Sequence, residues 1–172
     1  MIFTIGAVGF NCEQWRGDFY PEDLPLDWCA EYYANEIHAV LLESPENLAE
    51  LRESLSANFC LLVSGEPDVS LQLADNNAEL GYCNFEHDPA ETVGEFVVQK
   101  AVVKWSNENA ISAIAYKVAA DNDADARALR ELLEVLAQSK DGIQSAFVFF
   151  QGAICTVQMI KTAQTIGDLV SN

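Results

Sequence analysis

Six short runs rich in β-branched and aromatic residues recur along the chain: "MIFTIGAVGF", "IHAVLLE", "NFCLLVSG", "ELGYCNFE", "ISAIAYKV" and "SAFVFFQG". Each is nearly continuous in apolar residues instead of alternating with polar ones, so each reads as a strand buried on both faces. Strands of that kind belong to parallel sheets covered by helices. Helix-like segments separate them: "PLDWCAEYYANE", "SPENLAELRESLSA", "DPAETVGEFVVQKAVVKWSNE", "DADARALRELLEVLAQSK" and "TVQMIKTAQTIGDLV". The alternation predicts a parallel α/β fold with right-handed crossovers, and periodicity leaves a doubly wound sheet and a barrel both open.

Local signals fill in this outline. Ser44 before Pro45 and Asp88 before Pro89 each place a capping residue ahead of a proline, the pattern of a helix start. Leu129, Leu132, Leu133 and Leu136 fall on one face of a helix, with Asp125 and Arg130 facing outward. The segment "EFVVQKAVVKW" alternates at Phe96, Val98 and Lys100 and admits a strand; the helix is preferred. "PDVSLQLADNNAE" is too polar to assign.

The 172 residues, half of them apolar, suit a single domain over residues 1–172. Lys and Arg number 9 against 27 Asp and Glu, a net charge of −18, which repels nucleic-acid phosphates and anionic membrane surfaces. That charge reads as a solubility device before an acidic docking surface. Five cysteines, Cys12, Cys29, Cys60, Cys83 and Cys155, form no CxxC pair and read as reduced thiols of a cytoplasmic protein. No basic leader precedes an apolar stretch, and no apolar run approaches the roughly 18 residues of a membrane span.

The stretch "WRGDFYPEDLP" puts three rings and two prolines where a loop should leave the first strand. With its surroundings, "IGAVGFNCEQWRGDFYPEDLPLDWCAEYYANEIHAVLLES" resembles the start of the YecE-like family, a domain of unknown function. The resemblance rests on Ile5, Gly6, Gly9, Trp15, Gly17, Phe19, Tyr20, Pro21, Tyr32, Tyr33, Ala34 and Val40. Beyond it, "FCLLVSGEP", "CNFEHDP" and "SAFVFFQGAICTVQMIKTAQTIGDL" are similar, in order, to later segments of that family. The resemblance implies a parallel fold derived from a TIM-type barrel. Because eight strand–helix units take about 250 residues, it implies a shortened or incomplete barrel of about six units. The missing length falls between Pro67 and Ile111, and an unpaired edge left there would be covered by a second copy, a homodimer.

In such folds the site sits at the carboxyl ends of the strands. The candidates for catalysis are Glu43, Glu86, His87 and Lys117, groups able to act as acid and base if they converge. Asn11, Trp15, Tyr20, Tyr116 and Gln151 are candidates for holding a ligand. Each has a structural reading beside it. His87 adjoins Asp88 and Pro89 as a turn neighbour, Glu43 precedes Ser44–Pro45 where a helix start favours a carboxylate, and Trp15 and Tyr20 suit packing at the end of a barrel. The chain offers no H-x-H or H-E-x-x-H spacing, so neither a metal nor a cofactor is expected; carboxylates at Glu43, Glu66 and Glu86 are the conceivable exception for Mg²⁺.

Where the family pattern has V-E-I-N, this chain has Val40, Leu41, Leu42 and Glu43; its F-R-H arginine is Glu86, and F-N-N is Phe150, Gln151 and Gly152. The third strand, "LLVSGEP", lacks the family's lysine. The cations that would handle an anion are largely gone. Two readings follow: a non-catalytic or regulatory relative that binds a small molecule or a protein, which is preferred, and a small-molecule hydrolase, lyase or isomerase using Glu43 or Glu86 as base.

Overall fold

Both faces of an apolar strand must be covered, and here a closed ring does so, with one face toward the lumen and the other under helices or loops. The computed structural model describes residues 1–66, 78–86, 88–106, 112–120, 124–138, 143–152 and 155–171. Eight strands occur among them: β1 (Ile2–Val8), β2 (Ala39–Leu42), β3 (Cys60–Ser64), β4 (Glu79–Cys83), β5 (Glu91–Val93), β6 (Phe96–Trp105), β7 (Ala113–Ala120) and β8 (Ser145–Gln151). The sheet runs β4-β3-β2-β1-β8-β7-β6-β5, and a further pairing of β4 with β6 closes a seven-membered ring from which β5 projects. Six ring strands pair in parallel from β4 through β1 to β7, while β6 is antiparallel to both its ring neighbours.

Alternation along each strand builds two cores. Leu41, Leu62, Cys83, Ala101, Val103, Ala113, Ala115, Phe147 and Phe149 fill the lumen. The rings of Phe147 and Phe149 stack at 6.2 Å, and Trp105 meets Phe147 edge-on at 5.6 Å. The ring is therefore a packed core and not a channel. Residues one step away, such as Phe3, Ile5, Val40, Leu61, Val148 and Phe150, point outward into the larger core. Four helices occur among the described residues: α1 (Cys29–Ala34), α2 (Leu48–Ser54), α3 (Ala126–Ala137) and α4 (Val157–Val170). Asp125 caps α3 by accepting the Ala128 N–H at 2.8 Å, and Thr156 caps α4 by accepting that of Met159 at 3.1 Å. Leu129, Leu132, Leu133 and Leu136 form the buried stripe of α3, as their spacing predicts.

Two close approaches fix where glycine must stand. A Cβ on Gly6 would run into the carbonyl oxygen of Ala39, and one on Gly81 would meet Leu62 and Val103 side chains inside 3.0 Å.

The expected parallel, TIM-type α/β barrel is thus corrected: the protein is a closed mixed β-barrel with few helices. The reason lies in "ETVGEFVVQKAVVKW", where the preferred helix is in fact the β5–β6 hairpin, turning at Gly94 and Glu95. Its valines at 97, 98, 102 and 103 suit an extended chain, in which Phe96 and Val98 reach the outer core while Ala101 and Val103 reach the lumen. This strand occupies the edge that motivated a homodimer. Asp88–Pro89 leads into β5 and not a helix, and the helix expected at Ser44 begins at Leu48, after Asn47 in a left-handed conformation. His87 and most of "PDVSLQLADNNAE" lie outside the described residues.

Candidate functional site

The six parallel strands deliver their carboxyl ends to one mouth of the ring, so side chains on the lumen face beyond the apolar plug gather there. On β7, Ala113 and Ala115 point into the lumen, and the next step up is Lys117, paired across the sheet with Gln99 of β6 and Phe149 of β8. On β2, Ala39 and Leu41 are followed on the same face by Glu43. The two meet: Lys117 Nζ donates to Glu43 Oε1 at 3.2 Å. The lysine side chain is 14% exposed and the glutamate 56%.

The Lys117 ammonium also lies 5.2 Å from the centre of the Phe85 ring, itself buried. An ammonium over an aromatic face and beside a carboxylate is held in one orientation. By the same alternation Ser64, Gln99 and Gln151 stand at this level, each half-buried, around a floor of Leu41, Cys83, Phe85 and Phe149. The mouth is a polar ring on an apolar base.

The other candidates fall elsewhere. Glu86 is exposed, its main-chain N–H donates to Asn84 Oδ1 at 3.0 Å, and its carboxylate forms no ion pair among the described residues. Glu66 accepts from Asn84 and, at 2.9 Å, from Lys104 on the exposed outer side of β6. Glu43, Glu66 and Glu86 therefore do not assemble, and among the described residues no three of His, Cys, Asp and Glu converge. Tyr116 follows the opposite face of β7 into the outer core, 3% exposed. Asn11, with φ of 52°, makes a turn in which its Nδ2 donates to the carbonyls of Val8 and Gly9.

Trp15 and Tyr20 are packing residues. Trp15 is 4% exposed, donates from Nε1 to the Cys155 carbonyl at 2.8 Å, and stacks on Tyr33 with ring centres 6.1 Å apart. Tyr20 donates to the Phe10 carbonyl at 2.6 Å. Tyr33 hydroxyl accepts the Ala7 N–H at 3.0 Å and donates to the Ala39 carbonyl at 2.8 Å, bridging β1 and β2. Burial raises the pKa of both tyrosines above the ordinary 10.0. The many rings of the first loop thus wedge the barrel's neighbouring strands together.

Sequence reasoning missed Gln99, Phe85 and Ser64. Gln99 was hidden by the helix assigned to its segment. Phe85 offers only a ring face and Ser64 a single hydroxyl, and each gains a role only by sharing a face with Lys117 and Glu43. The deeper lumen offers no reactive thiol, because burial pushes Cys83 up to about 12. No helix among the described residues is long and apolar enough to cross a membrane. No family model, curated protein or solved structure matches the chain.

Proposed function

We propose that the protein is a non-catalytic binding protein, a divergent relative of the YecE-like family, that holds a small molecule at the carboxyl-end mouth of its barrel. The observation that carries this reading is the Lys117–Glu43 pair, joined across the mouth from β7 and β2 and seated on Phe85. Lys117 offers a cation to a carboxylate or carbonyl, Glu43 an acceptor to an amine or hydroxyl, and Gln99 and Gln151 offer amides. Such a polar ring over an apolar floor orients a ligand. The alternative, a small-molecule enzyme with Glu43 as base and Lys117 as its partner, draws on the same pair, while Glu86 lies apart from it, with its main-chain N–H on Asn84. The reduced thiols fit a cytoplasmic setting.

A thermal-shift screen of metabolites tests the reading, run on wild type, Glu43→Gln, Lys117→Met and Glu86→Gln. The expected ligand raises the melting temperature of wild type and Glu86→Gln and leaves the two mouth variants unmoved. Stabilisation that survives in both mouth variants rejects the site.

A further inference from the structure

The loop that buries Trp15 and Tyr20 also carries two exposed apolar side chains. Leu26 and Trp28, two residues apart on a 3-10 turn, are 59% and 62% exposed. An indole left largely in water, two positions from an exposed leucine, is an unusual use of the residue types that anchor interfaces. Around them, the segment "EDLPLDWCAE" carries Glu22, Asp23, Asp27 and Glu31, all exposed, and no lysine or arginine. Among the described residues none of these four carboxylates forms an ion pair, whereas Glu13, Glu36, Glu43, Glu66, Glu131 and Glu134 each have one.

The turn is also fixed in place. Arg16 Nη1 donates to the carbonyls of Glu22 and Leu24 at 2.8 and 3.0 Å, the Leu24 N–H to that of Pro21, and the Trp28 N–H to that of Pro25. Beneath it Cys29, Ala30 and Tyr33 are buried. A rigid aromatic anchor loses little conformational entropy when a partner covers it.

From this we infer that Leu26 and Trp28 form a docking surface for a basic peptide segment of another protein, one that carries arginine beside an apolar side chain. Arginine stacks on an indole face while pairing with carboxylates, and the apolar residue covers Leu26. A second copy of this chain is a poor occupant, because it would set the same four carboxylates against one another on a molecule of net charge −18.

The test uses the intact protein, a short arginine–leucine peptide and an arginine–serine peptide of equal length and charge, at physiological salt. The Trp28 indole N–H resonance, assigned with Trp28→Phe, is followed during titration. The arginine–leucine peptide is expected to shift that resonance to saturation and to bind about tenfold or more weakly to the charge-preserving Leu26→Ser/Trp28→Ala variant, which melts with wild type. The arginine–serine peptide, which keeps the stacking on Trp28 and lacks the contact with Leu26, is expected to bind wild type more weakly than the arginine–leucine peptide and to lose less on the variant. Equal affinity of the arginine–leucine peptide for wild type and variant, or an unmoved Trp28 resonance, overturns the inference in favour of diffuse attraction to an acidic protein. Self-association of wild type that Trp28→Ala abolishes overturns it in favour of a second copy.

Discussion

Replacing Tyr33 by phenylalanine removes one oxygen atom from a site where two strands depend on it. The hydroxyl accepts the Ala7 N–H and donates to the Ala39 carbonyl, and the residue is fully buried. The phenyl ring would keep its stacking on Trp15, so the substitution isolates the hydrogen bonds. Each buried group left without a partner costs about 1–3 kcal/mol, and the carbonyl suffers less than the amide, so the total loss should be about 2–4 kcal/mol. In a chain of this size that lowers Tm by roughly 4–16 °C. Urea unfolding should show a reduced midpoint with an unchanged slope. Tyr20→Phe, which removes a single bond to the Phe10 carbonyl, should cost only about 1 kcal/mol. The pH dependence supplies a second reading. Burial raises the folded-state pKa of Tyr33 above 10.0, so stability from the neutral hydroxyl is complete below pH 10 and falls as the unfolded chain ionises above it. Tyr33→Phe should flatten that alkaline fall. A Tyr33→Phe loss below about 0.5 kcal/mol would refute the bridging role.

Three further outcomes follow from the packing. Cys12, Cys60, Cys83 and Cys155 are each pushed up to about 12, chiefly by burial, so a thiol reagent at pH 8 should leave them unmodified in the folded protein and label them in denaturant. Gly6→Ala sets a Cβ against the Ala39 main chain, which has no flexible end to move aside, and should cost at least about 3 kcal/mol or prevent folding, read by circular dichroism and melting. Thr156→Ala and Asp125→Ala remove the caps of α4 and α3 and should each cost about 1 kcal/mol by urea titration, with lumen residues undisturbed.

The six apolar runs mark strands because burial on two faces leaves a near-continuous apolar run that length and β-branching distinguish from a helix. That rule does not say whether the second face is a helix layer or the inside of a ring, and the barrel's direction of closure depends on β6. In β6, valines occur at both strand and helix spacings, and the discriminating signal was the glycine at 94, which allows the φ of 60° of a two-residue hairpin turn. Asp88–Pro89 misleads because proline also suits the lead into an edge strand. Glu43 and Lys117 were legible as residues at strand ends. Their pairing was not, since it joins positions 74 residues apart across a ring whose closure was unknown. The exclusion of Tyr116 was legible in principle: once Ala113, Ala115 and Lys117 are assigned to one face of β7, the intervening tyrosine must take the other.

The most direct test of the mouth as the binding site is the ammonium resonance of Lys117, observed by ¹H–¹⁵N correlation of the side chain and assigned with Lys117→Met. Its ion pair and 14% exposure should protect the ammonium protons enough to give a signal that Glu43→Gln weakens. Adding the metabolite that stabilises wild type should shift this resonance in proportion to occupancy. A stabilising metabolite that leaves it unmoved, and shifts instead the amides of Gly94, Phe96 and Leu132 around the cleft of about 270 Å³ between the β5–β6 hairpin and α3, would contradict the account.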